Sequence, residues 1–225
     1  MRSNARDFKR AIDCLRDVVR ELTFHNTAEG LRAHAVGDGI LLTADFGHAF
    51  DAPCTFGLSA DALSRLVRTA TPAQKVALSL EGHDVRCELF TDTCASRFTL
   101  ATLDVPTPRV PPPVEREPTC TVKLRTDHLR ALLRNLRHVE SVSIALADGA
   151  LVVHGASDHS SGEVVTTEID YVGAPGAFGV YPNSSLQHFL KSQHLASAIT
   201  LAFWPDQMRL TLAGAITLAL TLKKK

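Results

Sequence analysis

The sequence predicts an α+β protein made of two topologically similar domains. Residues 56–103 and 178–222 each begin with a Phe-Gly pair, continue with a helix pattern and end with three strand patterns. The helix pattern around Phe8 recurs around Leu129 at almost the same offset. A repeat of this length indicates a duplicated domain, because solenoid units span only about 20–50 residues.

A proline-rich segment separates the two repeats. Residues 105–118 read VPTPRVPPPVEREP, and proline lacks a backbone donor and fixes φ. The segment is therefore excluded from helices and central strands, and we expect an extended, semi-rigid linker. The predicted boundaries are 1–104 for the first domain, 105–118 for the linker and 119–225 for the second domain.

In the first domain, apolar residues recur every three or four positions over residues 8–22 and predict a helix. Ser59 is expected to cap a second helix. Residues 1–7 make a poor strand. Strands are predicted at 30–36, 40–46, 54–58, 75–81, 84–90 and 96–103.

In the second domain, Thr126 is expected to cap a third helix and Asn183 a short fourth one. A strand is predicted at 119–124 before the third helix. Further strands are predicted at 141–147, 150–156 and 163–171, followed by three strands near the end of the chain.

Composition and motifs disfavour catalysis. The chain has 45% hydrophobic and 21% charged residues, as ordinary globular proteins do, and no apolar stretch of membrane-spanning length. Its five cysteines lack CxxC spacing, which favours free thiols in a reducing compartment over disulfides or zinc. Phosphate-binding, dinucleotide-binding, zinc-protease and serine-hydrolase motifs are absent. We expect no catalytic residues, no cofactor, no metal and no membrane partner.

The densest polar cluster consists of His154, Asp158 and His159. Such a cluster suits either a metal or acid–base role or a solvated hairpin turn. The sequence favours the turn, because the cluster follows a strand pattern and the other histidines lack ligand spacing.

The basic helix faces are the remaining functional signal. Lys+Arg and Asp+Glu balance at 24 each, so only the placement of charge can indicate a partner. All four helix patterns expose mainly basic residues, which is typical of sequence-independent binding to a phosphate backbone. Few aromatic residues accompany them, which disfavours stacking on single strands.

The chain resembles the DNA sliding clamps typified by proliferating cell nuclear antigen. The resemblance runs in order through FKRAIDCLRDVVREL with AEGLRAHAVGDGILL, LSADALSRLVRTA, TCTVKLRTDHLRALLRNLRHV and VSIALADGALVVHGASDHSSGEVVTTEI. It implies the DNA-clamp (processivity) fold, with outer β-sheets and inner helices. It also implies a homotrimeric ring around duplex DNA that a clamp loader could open.

The resemblance also implies two sets of site residues. The DNA-binding residues would be Lys9, Arg10, Arg16, Arg65, Arg68, Arg134, His138 and Lys191. A pocket for short peptides of DNA polymerase and other clamp-binding proteins would comprise Val36, Ile40, Leu41, Val110, Pro111 and Val114. Replication and repair in the nucleus would be expected, or in the cytoplasm for an archaeal or cytoplasmic viral source.

Three alternatives stay open at this point. The chain could be one subunit of a hetero-oligomeric DNA-damage checkpoint clamp. It could be a monomeric or dimeric processivity factor of the same fold. It could also be an interaction scaffold without a DNA role.

Overall fold

The chain divides into two compact units in the computed structural model, which describes residues 2–37, 39–47, 50–104 and 116–224. Unit 1 comprises Met1–Val110 with Gly214–Leu218, and unit 2 comprises Pro111–Ala213 with Ala219–Lys225. The predicted domain boundaries stay a prediction, because most of the 105–118 segment lies outside the described residues.

Unit 1 holds two antiparallel sheets and two helices. The strand orders are β1-β6-β7-β8 and β4-β3-β2-β5. The elements are β1 (Arg2–Asn4), α1 (Ala5–Arg16), β2 (Glu21–Thr27), β3 (Gly30–Gly37), β4 (Ile40–Asp45), β5 (Cys54–Ser59), α2 (Ala60–Val67), β6 (Lys75–Glu81), β7 (Asp84–Phe90) and β8 (Ala95–Ala101). The apolar sides of α1 and α2 are fully buried, and Phe8 packs on Phe46 at 5.2 Å between ring centroids.

Helix α1 is shorter than predicted. It begins after Asn4, whose Oδ1 accepts from the backbone N–H of Arg6 at 2.9 Å, and it ends at Arg16. Leu22 matches helical spacing but lies on β2, where it is buried beside Phe24. Close to the boundary between a helix and a strand, a single apolar residue such as Leu22 fits the periodicity of either element.

Two strands of unit 1 were missed. The expectation that residues 1–7 form no strand is wrong, because β1 pairs with β6 through Arg2↔Ala77 and Asn4↔Lys75. Strand β2 was not predicted because some of its buried residues are polar. Asn26 is one of these, and its Nδ2 donates to the carbonyl oxygens of Phe50 and Ala52, so its burial is compensated.

Unit 2 repeats this arrangement with one additional strand. Its strands run in the orders β12-β11-β10-β14 and β13-β9-β15-β16-β17. The elements are β9 (Cys120–Arg125), α3 (Thr126–Asn135), β10 (Ser141–Ala147), β11 (Ala150–Ser157), β12 (Ser160–Thr166), β13 (Ile169–Gly173), β14 (Gly176–Pro182), α4 (Asn183–Phe189), a 3₁₀ helix (Leu190–Leu195), β15 (Ala198–Phe203), β16 (Gln207–Ala213) and β17 (Thr217–Lys223).

Unit 2 differs from the expectations in four features. The strand predicted at 163–171 is two strands, β12 and β13, which belong to different sheets. Strand β14 was not predicted.

The two helix caps expected in unit 2 are absent. The hydroxyl of Thr126 does not cap α3 but donates to the carbonyl of Ala196 at 2.9 Å. Asn183 likewise does not cap α4, since its Nδ2 donates to the carbonyls of Leu136 and Val139. In both cases the polar side chain donates to a carbonyl that is distant in the chain and does not cap its own helix.

The expected cap on α2 is confirmed, because Ser59 Oγ accepts from the backbone N–H of Ala62 at 3.3 Å. Among the helices in the described ranges, none is long and apolar enough to cross a membrane.

Candidate nucleic-acid interface

Three basic residues of α1 pair with acidic residues of the same helix: Lys9, Arg10 and Arg16. Lys9 Nζ lies 2.7 Å from Asp13 Oδ2, and Arg10 Nη1 lies 3.7 Å from Asp7 Oδ1. Lys9 and Arg10 are half-buried. Burial lowers the pKa of Arg10, and the neighbouring positive charge of Arg6 lowers it further. This surface therefore carries less net positive charge than its count of basic residues suggests.

A buried hydroxyl extends this network to α2. Ser64 Oγ donates to Asp13 Oδ1 at 2.6 Å and accepts from Arg16 Nη1 at 2.7 Å. Arg16 is itself exposed and lies 3.9 Å from Asp13 Oδ1. This contact could not be predicted from residue spacing, because Ser64 lies 51 residues from Asp13.

Helix α2 exposes two arginines without an acidic partner. Arg65 lies in its last turn, with Nε donating to the carbonyl of Asp61 at 3.3 Å, and Arg68 is its C-cap residue. Neither guanidinium has a carboxylate within ion-pair distance in the described part of unit 1. Both are available for a negatively charged ligand.

Helix α3 and the turn after it expose several basic residues. Arg130 and Arg134 lie on α3, and Arg137 lies in the turn that follows it. All three are exposed and make no ion pair within residues 116–224. His138 is exposed in the same turn. Lys191 is also exposed, but it lies on the 3₁₀ helix and not on α4.

A cavity of about 660 Å³ lies between α3 and the end of the 3₁₀ helix, within unit 2. It is lined by Arg125, Arg130, Arg134, Gln193 and His194, among other residues. Arg125 makes a bidentate pair with Asp127, which holds the pKa of that carboxyl down at about 2. Arg130 and Arg134 therefore supply the uncompensated charge of this cavity, and Arg130 was absent from the predicted DNA-binding set.

The predicted peptide pocket is described in part. Val36, Ile40 and Leu41 lie at the tip of the β3–β4 hairpin, where Val36 pairs with Leu41. Val36 is exposed, whereas Ile40 and Leu41 are half-buried. The other three predicted residues, Val110, Pro111 and Val114, lie outside the described residues.

Two histidines form a contact on the sheet face that also carries Val36. The rings of His25 and His34 lie 5.3 Å apart. His25 Nδ1 is 3.1 Å from Thr55 Oγ1, and His34 Nδ1 is 3.0 Å from Thr43 Oγ1. Burial lowers the pKa of His34 to about 4, with smaller contributions from His25 and Arg32 and an opposing one from Asp45.

We predict that the protein loses stability between about pH 6.5 and about pH 4. In that window the unfolded chain binds a proton at His34 that the folded chain does not, so acidification favours unfolding. The loss attributable to His34 should be about 2 kcal/mol after allowance for partial exposure. Urea unfolding of wild type and His34→Asn at pH 7 and pH 4.5 measures it.

The His34→Asn protein should show a flatter pH profile than wild type. His159→Asn, which replaces an exposed histidine in the β11–β12 turn, serves as the control. Equal pH dependence in wild type and His34→Asn would contradict the assignment.

The remaining polar residues that the sequence singled out lie on an exposed strand and turn. His154 is exposed on β11, and Asp158 and His159 form the exposed turn before β12. In the part of the chain that the structure describes, no group of three or more His, Cys, Asp or Glu residues could hold a metal ion. The five cysteines are free thiols, and burial raises the pKa of Cys87 to about 12.

Comparison with known proteins identifies a relative in sequence and one in structure. A probable DNA polymerase sliding clamp of Orgyia pseudotsugata multicapsid polyhedrosis virus is 25% identical over 157 residues, which are 65% of this chain and 63% of that relative. The match thus spans less than two thirds of the relative's length. No protein-family model matches the chain.

The structural similarity extends over nearly the whole chain. The proliferating cellular nuclear antigen of Entamoeba histolytica superposes with a TM-score of 0.86 at 16% identity, covering 98% of this chain and 96% of that one. The two units share an order of helices and strands, apart from β13 and the 3₁₀ helix of unit 2, and each unit holds strands of two sheets. The chain has the fold of proliferating cell nuclear antigen, and part of it is similar in sequence to a viral protein described as a probable sliding clamp.

Proposed function

We propose that this protein is a DNA sliding clamp, a processivity factor that encircles duplex DNA and tethers replication and repair enzymes without catalysis of its own. The observation that carries the proposal is the match of 98% of the chain to a clamp fold. The exposed arginines of α2 and α3 support it, because guanidinium groups suit contact with phosphates, and phosphate contacts carry no sequence information.

The assembly we propose is a homotrimer closed by edge strands. Strand β8 ends one sheet of unit 1, and β12 ends one sheet of unit 2. Both edges expose apolar side chains: Phe98 is 38% exposed and Val165 is 50% exposed. Open edges of this kind need a partner strand or another protection, and pairing of two different edges between copies closes into a ring when the rotation permits.

Light scattering and DNA titration together test the proposal. A homotrimer would have three times the 24.3 kDa chain mass. Binding to linear duplex should be weak, independent of sequence and steeply dependent on salt. A monomer or dimer that binds duplex DNA would favour the non-ring processivity factor, and trimer formation only with other subunits would favour the checkpoint clamp. A protein that ignores duplex DNA would favour the scaffold.

The partner site we propose includes the tip of the β3–β4 hairpin. Its exposed Val36 and half-buried Ile40 and Leu41 offer an apolar surface to aromatic or aliphatic anchors of a peptide. The partners would be a DNA polymerase and other clamp-binding proteins, with a clamp loader to open the ring. For action on replicating DNA we expect the protein in the nucleus, or in the cytoplasm for an archaeal or cytoplasmic viral source.

Ile40→Asp should weaken peptide binding more than tenfold, because a desolvated carboxylate would replace an apolar contact. The measurement is a fluorescence titration with a peptide from the C-terminus of the cognate polymerase. Ile40→Val is the matched control and should bind as wild type does. An affinity within tenfold of wild type for Ile40→Asp, with fold and oligomer intact, would place the peptide elsewhere.

A further inference from the structure

An acidic residue lies among the cations that the proposed function assigns to DNA. Asp13 Oδ2 is 2.7 Å from Lys9 Nζ. Its other oxygen, Oδ1, accepts from Ser64 Oγ, which in turn accepts from Arg16 Nη1. One carboxylate thus engages two cations, one of them directly and the other mainly through a buried hydroxyl.

Partial burial makes this network stronger than an ordinary surface ion pair. The side chains of Lys9 and Asp13 are 33% and 31% exposed, and Ser64 is only 4% exposed. Charges that are partly removed from water interact more strongly than fully exposed ones. The buried hydroxyl of Ser64 also fixes the geometry, so less conformational entropy is lost when the pair forms.

The arginines of α3 provide the contrast. Arg130 and Arg134 are exposed and make no ion pair in the described part of unit 2. Helices α1 and α3 therefore present cations in different states. Lys9, Arg10 and Arg16 of α1 share carboxylates, whereas Arg130 and Arg134 of α3 have none within residues 116–224.

We propose that Asp13 restrains the binding of duplex DNA by sharing Lys9 and Arg16 with the phosphate backbone. This inference rests on the proposed function and concerns how tightly the clamp holds its DNA. A phosphate that contacts Lys9 must compete with a carboxylate already in place, so the contact releases fewer counterions and exchanges readily. Weak, exchangeable contacts on α1 would let the protein move along the duplex.

The first test is Asp13→Asn, whose amide oxygen can still accept from Ser64 Oγ. The variant should bind a linear duplex several-fold more tightly than wild type at fixed salt. Its log–log salt slope should be steeper by up to about 1.8, because two cations are released and each phosphate contact contributes about 0.9. Asp61→Asn is the control, since Asp61 is exposed on α2 and makes no ion pair within the described ranges.

A second test compares Lys9→Gln with Arg134→Gln, and its wild-type arm does not depend on the folding of the Asp13 variant. In the wild-type background, Lys9→Gln should flatten the salt slope by clearly less than Arg134→Gln, which should flatten it by about 0.9. In the Asp13→Asn background, Lys9→Gln should have the full effect. A purely structural role of Asp13 would not produce this dependence on background.

Each outcome decides the matter. Equal effects of Asp13→Asn and Asp61→Asn, or equal effects of Lys9→Gln and Arg134→Gln in wild type, would overturn the inference while leaving the proposed function intact. Failure of both wild type and Asp13→Asn to bind duplex DNA at the lowest salt would overturn the proposed function, and this inference with it.

Discussion

Thr99→Pro should convert the proposed trimer into monomers. Strand β8 pairs with β7 through Arg86↔Thr99, and the turn bond from Thr91 N to Cys94 O fixes which pairs exchange hydrogen bonds. Because hydrogen-bonded pairs alternate along an antiparallel ladder, the N–H of Thr99 points away from β7, toward the open edge. Proline at this position removes a donor from the proposed interface and leaves the β7–β8 ladder intact.

Light scattering and far-ultraviolet circular dichroism measure the result. The variant should lose the trimer and, with it, retention on circular duplex DNA, while its secondary structure stays that of wild type. Thr99→Val keeps the backbone donor and should remain trimeric. A trimeric Thr99→Pro protein would exclude β8 as the subunit interface.

Reversing four basic residues to Glu should abolish binding to duplex DNA. The change combines Arg65, Arg68, Arg134 and Lys191, all of which are exposed. Loss of four phosphate contacts would flatten the salt slope by about 3.6, and the introduced carboxylates would repel the backbone in addition. Titration of a labelled duplex at several salt concentrations measures both effects.

The matched control reverses four basic residues on strands, so it changes the net charge by the same amount as the first variant. Lys75, Lys123, Arg209 and Lys223 are exposed on β6, β9, β16 and β17, and their reversal should leave most of the binding intact. If both quadruple variants lost affinity to the same extent, binding would depend on net charge alone and the helices would not form the interface.

The sequence predicted most elements where period and boundary signals agreed. Strands β6, β7 and β10 begin and end at the predicted residues, because alternating apolar residues and turn-forming boundaries give one interpretation there. The sequence did not predict strands whose buried residues are polar, as at Asn26 on β2. The burial of such residues depends on hydrogen bonds to residues that are distant in the chain.

Part of the candidate site could also be predicted from the sequence. The four-residue spacing of Lys9 and Asp13 indicates a pair on one helix face, so the ion pair of α1 could have been anticipated. The exposure of Arg130 was predicted, but its position in a cavity with Arg134 was not, because the 3₁₀ helix that forms the other wall lies about 60 residues further along the chain.

The sequence by itself determined the duplicated α+β architecture and the basic character of the helices, because period and charge are local properties. Only the tertiary structure decided which of those charges are compensated. Ser64 bridges Asp13 and Arg16 only because α1 and α2 pack side by side. Thr126 and Asn183 do not cap their helices, because folding brings other carbonyl acceptors within hydrogen-bond distance. Hydrogen bonds and ion pairs act over a few ångströms, so their partners follow from packing and not from spacing along the chain.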